Sequence, residues 1–118
     1  MILESGEMPA MDWFRSLNKK GIGQLHAAVT IIETNLRSGR APAGRTSLVP
    51  RSRNRLIEIR VTPPGATPPH LRLFATRRGM TFYAACGMTK KSNELKQNEI
   101  DEADRITDKW LWLQKEVK

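Results

Sequence analysis

Residues 56–61, Leu-Ile-Glu-Ile-Arg-Val, alternate apolar and charged side chains, and this period of two limits the possible folds more than any other feature. In an extended chain Ile57, Ile59 and Val61 share one face, while Glu58 and Arg60 share the other. A second run, residues 70–75, repeats the pattern: Leu71, Leu73 and Ala75 oppose His70, Arg72 and Phe74. A third begins at Met80, sets Thr81 and Tyr83 against Phe82, Ala84 and Cys86, and reads as ending at Gly87. Residues 62–69 hold four prolines and Gly65, which makes a long hairpin connection. Arg77, Arg78 and Gly79 make a tight one. Three β-prone runs joined in order by turns predict an antiparallel meander.

Helical periods flank the meander. Pro9 suits a first helical turn, and Met11, Trp13, Phe14 and Leu17 follow it on a short helix. Gly21 and Gly23 read as an interruption. A stronger helix then carries a stripe of Ile22, Leu25, Val29, Ile32 and Leu36, with Gly39 as its stop and Arg37 and Arg40 near its negative end. His26 flanks the stripe as an ordinary helix residue. Beyond it Pro42, Gly44 and Pro50 mark a loop, with room for a short strand around Ser47, Leu48 and Val49. At the other end Asn98 reads as a helix N-cap, with Glu99, Asp101 and Glu102 in the first turns. Ile100, Ala103, Ile106, Trp110, Leu113 and Val117 form the last stripe, leaving Leu111 and Trp112 beside it as a partner surface or as its widened edge.

The expected architecture is α+β in one domain of 118 residues: an arm at 1–8, a helical hairpin at 9–39, a three- or four-stranded antiparallel sheet at 56–91 and a C-terminal helix at 98–117. One sheet face packs on the helices. The other is expected to present Glu58, Arg60, His70 and Arg72, with Lys90 and Lys91 just past the last strand.

Charge is concentrated where the strands lie. Residues 37–91 carry a net +11, against −1 before them and −2 after, so the chain's +8 comes from its middle. A basic sheet implies a polyanion, nucleic acid first of all, because each neutralised phosphate releases counterions. Cys86 has no partner for an internal disulfide, which fits a reducing cytoplasm. No cluster of His, Cys and carboxylates has metal-ligand spacing, and no glycine-rich loop cradles a phosphate, so neither metal nor cofactor is expected. No apolar run reaches the ~18 residues a bilayer demands, so a cytoplasmic protein with no membrane partner is the expectation.

In order and spacing these elements resemble the RelE/ParE toxin superfamily, and its HigB-like, phage-derived branch in particular. The likeness rests on the strand of Ile57, Glu58, Ile59, Arg60 and Val61, the strand of Leu71, Arg72, Leu73 and Phe74, the segment Gly-Met-Thr-Lys-Lys-Ser at 87–92, and Asn-Glu-Ile-Asp-Glu-Ala at 98–103. It implies the toxin of a type II toxin–antitoxin system that cleaves mRNA on the ribosome and arrests growth. It also implies neutralisation by a helix-turn-helix antitoxin encoded alongside. ParE-like members inhibit gyrase instead, and a catalytically silent nucleic-acid-binding relative is a third reading. By position Arg60, Arg72, Lys90 and Lys91 fall where the family keeps functional cations. The chain departs from the family's pattern in lacking a tryptophan before Glu58, an aromatic after the basic pair and the C-terminal histidine of some members.

Cleaving RNA through its own 2′-hydroxyl requires a group to take that proton, cations to hold the phosphorane's charge, and an acid for the leaving 5′-oxygen. Arg60, Arg72, Lys90 and Lys91 suit the second task. Candidate bases are Glu58, His70 and a lysine with its pKa lowered by neighbouring cations. Glu58 equally suits an ion pair, and His70 a loop position beside Pro69. Arg53, Arg55, Arg77 and Arg78 are placed to hold backbone phosphates, and Tyr83 to stack on a base or to fill the core.

Overall fold

In the computed structural model the described residues are 1, 6–39, 45–63, 65–79, 81–92 and 94–116, with backbone alone at 115 and 116. Residues 2–5 of the expected arm, with Arg40, Pro42, Gly44, Met80 and Val117 of the patterns above, lie outside them. The elements are α1 (Pro9–Ser16), α2 (Lys19–Arg37), β1 (Thr46–Leu48), β2 (Ile57–Arg60), β3 (His70–Arg78), β4 (Thr81–Lys90) and α3 (Gln97–Glu116). The fold is α+β, and its four strands form one antiparallel sheet in the order β1-β2-β3-β4.

Pro9 occupies the first turn of α1, where a missing N–H costs nothing. The Asn18 side chain caps α2 by accepting from the Gly21 N–H at 2.8 Å. Gly21 and Gly23 therefore sit inside α2 rather than before it. At Gly21 a Cβ would lie 3.3 Å from Leu71 Cδ1, so its bare backbone lets the helix start close against β3. Gly39, at φ +69°, closes the far end and donates to the Leu36 carbonyl.

The sheet is covered on both faces. On one, Ile59, Val61, Leu71 and Ala75 meet Ile32 of α2, with Trp13, Leu17, Leu25 and Leu36 alongside. On the other, Leu56, Phe74, Ala85 and Cys86 meet Ile100, Ala103, Ile106 and Trp110 of α3. The expectation of one free polar face is thus corrected: Glu58, Arg60, His70 and Arg72 share the face on which α3 lies. A second correction concerns α2, whose Ile22 and Val29 are 39% and 38% exposed although they continue the apolar stripe.

β4 departs from simple alternation. Phe74 pairs with Cys86 but Ala75 pairs with Ala84, leaving Ala85 as an inserted residue. The bulge moves Cys86 from the face of Phe82 and Ala84 to that of Tyr83, against the sequence expectation. The strand also does not stop at Gly87 but continues through it to Lys90. Gly87 is there because the Trp13 indole lies on the backbone: a Cβ at this position would stand 1.9 Å from Trp13 Cδ2. Trp13 Nε1 also donates to Thr89 Oγ1 at 3.1 Å, which fixes the ring and holds α1 against β4.

Candidate nucleic-acid interface

The β2–β3 register sets Arg60 directly opposite Arg72, and Glu58 opposite Phe74. Like charges facing each other across strands cost roughly 0.2–1 kcal/mol, so the pair needs an anion nearby. Glu58 supplies one, with Oε1 3.6 Å from Arg72 Nε. Arg72 is only 7% exposed, and Nη1 also donates to the Leu71 carbonyl at 3.1 Å. Burial pushes the Arg72 guanidinium pKa down, Glu58 opposes that shift and Arg60 adds to it. Arg60 is half-buried and donates to Ser47 Oγ at 3.2 Å. The trio of Glu58, Arg60 and Arg72 carries a formal +1 at the sheet surface.

The bulge at Ala85 separates the two lysines. It sets Lys90 opposite His70 on the face of Arg72, with both residues 8% exposed, and leaves Lys91 past the strand and exposed. Lys90 Nζ stands 3.0 Å from Glu99 Oε1 and donates to the Glu94 carbonyl. The same Glu99 Oε1 accepts from the Lys96 N–H at 2.9 Å, the reciprocal half of a capping box. The sequence placed the cap at Asn98; Lys96 is the residue preceding α3, and Asn98 lies in its first turn. Lys90 thus ties β4 to the start of α3, while Lys91 is the member of the pair open to a ligand.

The other candidates disperse. Arg53 bonds the Asp108 carboxylate through both Nε and Nη2, and that bond raises its pKa. It belongs to a clip in which Asp104, 1% exposed, accepts from Ser52 Oγ at 2.9 Å, Asn54 Nδ2 at 2.9 Å and the backbone N–H groups of Arg53 and Asn54 at 3.3 Å. The clip fastens the loop before β2 onto α3; nothing in the sequence sets Asp104 apart, because acidic residues on a helix usually face water. Arg55 is exposed at φ +52°. At the hairpin end of the sheet, Arg78 lies 5.2 Å over the Trp110 ring and Tyr83 stacks on the same indole at 4.9 Å. Arg77 lies over Phe82 on the opposite face. Tyr83 is 37% exposed, so it is not core. Trp112 is 53% exposed, while Leu111 packs partly against the α3 core.

Among the described residues no group of His, Cys, Asp and Glu could hold a metal ion, and no helix is long and apolar enough to cross a membrane. Comparison with protein-family models, with curated proteins and with solved structures returned no match to this chain.

Proposed function

We propose that the chain is an RNA-directed toxin of the RelE/ParE kind, an endoribonuclease that cuts mRNA on the ribosome, and that Arg60 and Arg72 hold the scissile phosphate. The observation that carries this reading is the direct cross-strand pairing of those two arginines, with one carboxylate, Glu58, paired to Arg72. A phosphate brought to Arg60 supplies the negative charge that the trio lacks, and the excess of the surrounding segment draws the polyanion in. In this reading Arg60 and Arg72 stabilise the phosphorane and Lys91 holds the adjoining backbone. Once phosphate has displaced it from Arg72, Glu58 takes the 2′ proton as the 2′-oxygen attacks phosphorus, and the departing 5′-oxygen takes its proton from water.

A second reading has its own support. Arg72 and His70 are buried and Lys90 is tied to Glu99, which suits a protein that binds RNA without cutting it. Induced expression in a bacterial host separates the two. Growth arrest with transcripts cut at ribosome-occupied codons supports the nuclease; salt-sensitive RNA binding with intact transcripts supports the silent relative. DNA-damage signalling with intact mRNA would sink both in favour of gyrase inhibition.

A further inference from the structure

We propose that the cavity between the α1–α2 corner, the proline-rich connection into β3 and the end of β4 binds one nucleotide, its base inside and its phosphate on Lys20. The cavity holds about 200 Å³, less than the roughly 300–1,000 Å³ that drug-sized ligands fill, so a single ring system suits it. It lies on the α2 side of the sheet, where Leu71 packs, and is thus separate from Glu58, Arg60 and Arg72 on the α3 side. Pro68 and Pro69 come to it from the connection, Leu17 and Gly21 from the helix corner, Leu71 and Thr89 from the sheet. A Cβ at Gly21 would stand 3.3–3.4 Å from Leu17, Asn18 and Leu71, all of which line the cavity, so the glycine leaves that space clear.

The lining chemistry selects a nucleotide. Leucine and proline side chains give a heterocycle apolar surface to pack on. Gln24 lines the cavity, is half-buried and has no hydrogen-bond partner among the described residues, so its amide presents a donor and an acceptor side by side. Bases unstacked from a single strand are read along such edges, and a glutamine amide can bond a base twice. Thr89 Oγ1 already accepts from Trp13 Nε1, which leaves its own hydrogen to donate. Lys20 is the one charged side chain among the described lining residues. Lys91, which is exposed, follows Thr89 by two residues, about 7 Å on at ~3.3 Å per residue. A bare phosphate would use these lysines and leave Gln24 and the apolar surface idle; a nucleotide engages both.

The test titrates the full chain with the four nucleoside 5′-monophosphates and with inorganic phosphate. Saturation below about 1 mM is expected for at least one nucleotide, with inorganic phosphate at least about tenfold weaker. Gln24→Leu keeps the bulk of the side chain and should weaken that nucleotide about tenfold while leaving inorganic phosphate unchanged. Thr67→Val, at an exposed lining position where folding is not at stake, should weaken it about threefold. Arg60→Gln leaves nucleotide binding unchanged, which separates this site from the RNA reading. A six-residue RNA that displaces the nucleotide supports the proposal with a strand as the source; one that binds without displacing it supports a free nucleotide. No saturation below about 1 mM by any of the four overturns the proposal, as does inorganic phosphate binding as tightly. Equal binding by the parent, Gln24→Leu and Thr67→Val also overturns it.

Discussion

Lys90 Nζ stands 3.0 Å from Glu99 Oε1, joining the last residue of β4 to the first turn of α3. The Lys90 side chain is 7% exposed and that of Glu99 16%, so removing one partner strands the other charge away from water. Lys90→Met is expected to lower unfolding free energy by about 2–3 kcal/mol. Lys91→Met, at an exposed position, shifts stability by less than about 0.5 kcal/mol yet weakens RNA binding and flattens its salt dependence. Denaturant melts of both variants beside filter binding decide it. Equal stability losses would contradict the division of labour.

Gly87 is set by Trp13. Gly87→Ala forces a methyl into the indole, which its bond to Thr89 restrains, and is expected to cost about 1–3 kcal/mol. Adding Trp13→Leu to Gly87→Ala should recover part of that loss relative to the sum of the single changes. Additive losses in thermal melts would rule out the contact as the cause.

The clip between the loop before β2 and α3 predicts acid behaviour. The bond from Arg53 holds the Asp108 carboxyl below its ordinary value of 3.8; burial opposes it in part, and the bond from Asn54 adds a smaller push downward. A carboxyl depressed in the fold contributes stability above its unfolded pKa, and that contribution is lost as pH falls through the folded value. Glu102, bonded by Arg105, behaves in the same sense. Stability should therefore fall below about pH 4, and Asp108→Asn with Glu102→Gln should flatten that limb. The pairs are exposed, so the effect is small. Asp104→Ala, which removes a buried acceptor and orphans several part-buried donors at neutral pH, costs more, about 3 kcal/mol. Melts between pH 2.5 and 7 measure both.

Burial pushes the Cys86 thiol up to about 12, and its side chain sits in the core under α3. A thiol reagent at pH 8 should react with the native chain only as fast as that core opens. Lys90→Met, by loosening α3, should speed the reaction. Immediate labelling of the native protein would show that α3 does not seal this face.

Much of the fold was legible because alternation in β2 and β3 is unbroken and the stripe of Ile100, Ala103, Ile106 and Trp110 has the helical period. The bulge was not: Ala84, Ala85 and Cys86 are all small and apolar, so either parity can be buried and nothing marks the inserted residue. That single residue decides which lysine joins Arg72. Nor could periodicity tell whether α3 lies on the polar face, because arginines paired with a carboxylate survive burial as well as exposure. Arg60 and Arg72 were legible as sharing a face, since each alternation fixes parity, but not as a direct pair, because parity leaves the register across a long connection open. The ion pairs of Lys90 and Arg53 were not legible, because their partners, Glu99 and Asp108, are 9 and 55 residues away.

The pairing of Arg60 with Arg72 is tested most directly by mapping cut sites on an mRNA bound to purified ribosomes, using the parent chain and Arg60→Gln. Arg60 is chosen because it is half-buried and its loss leaves the Glu58–Arg72 pair in place. The parent should cut the occupied codon, and Arg60→Gln should slow cutting by at least about a hundredfold, or ~2.7 kcal/mol, with its melting temperature retained. Cutting by the variant at the parent's rate would contradict the account.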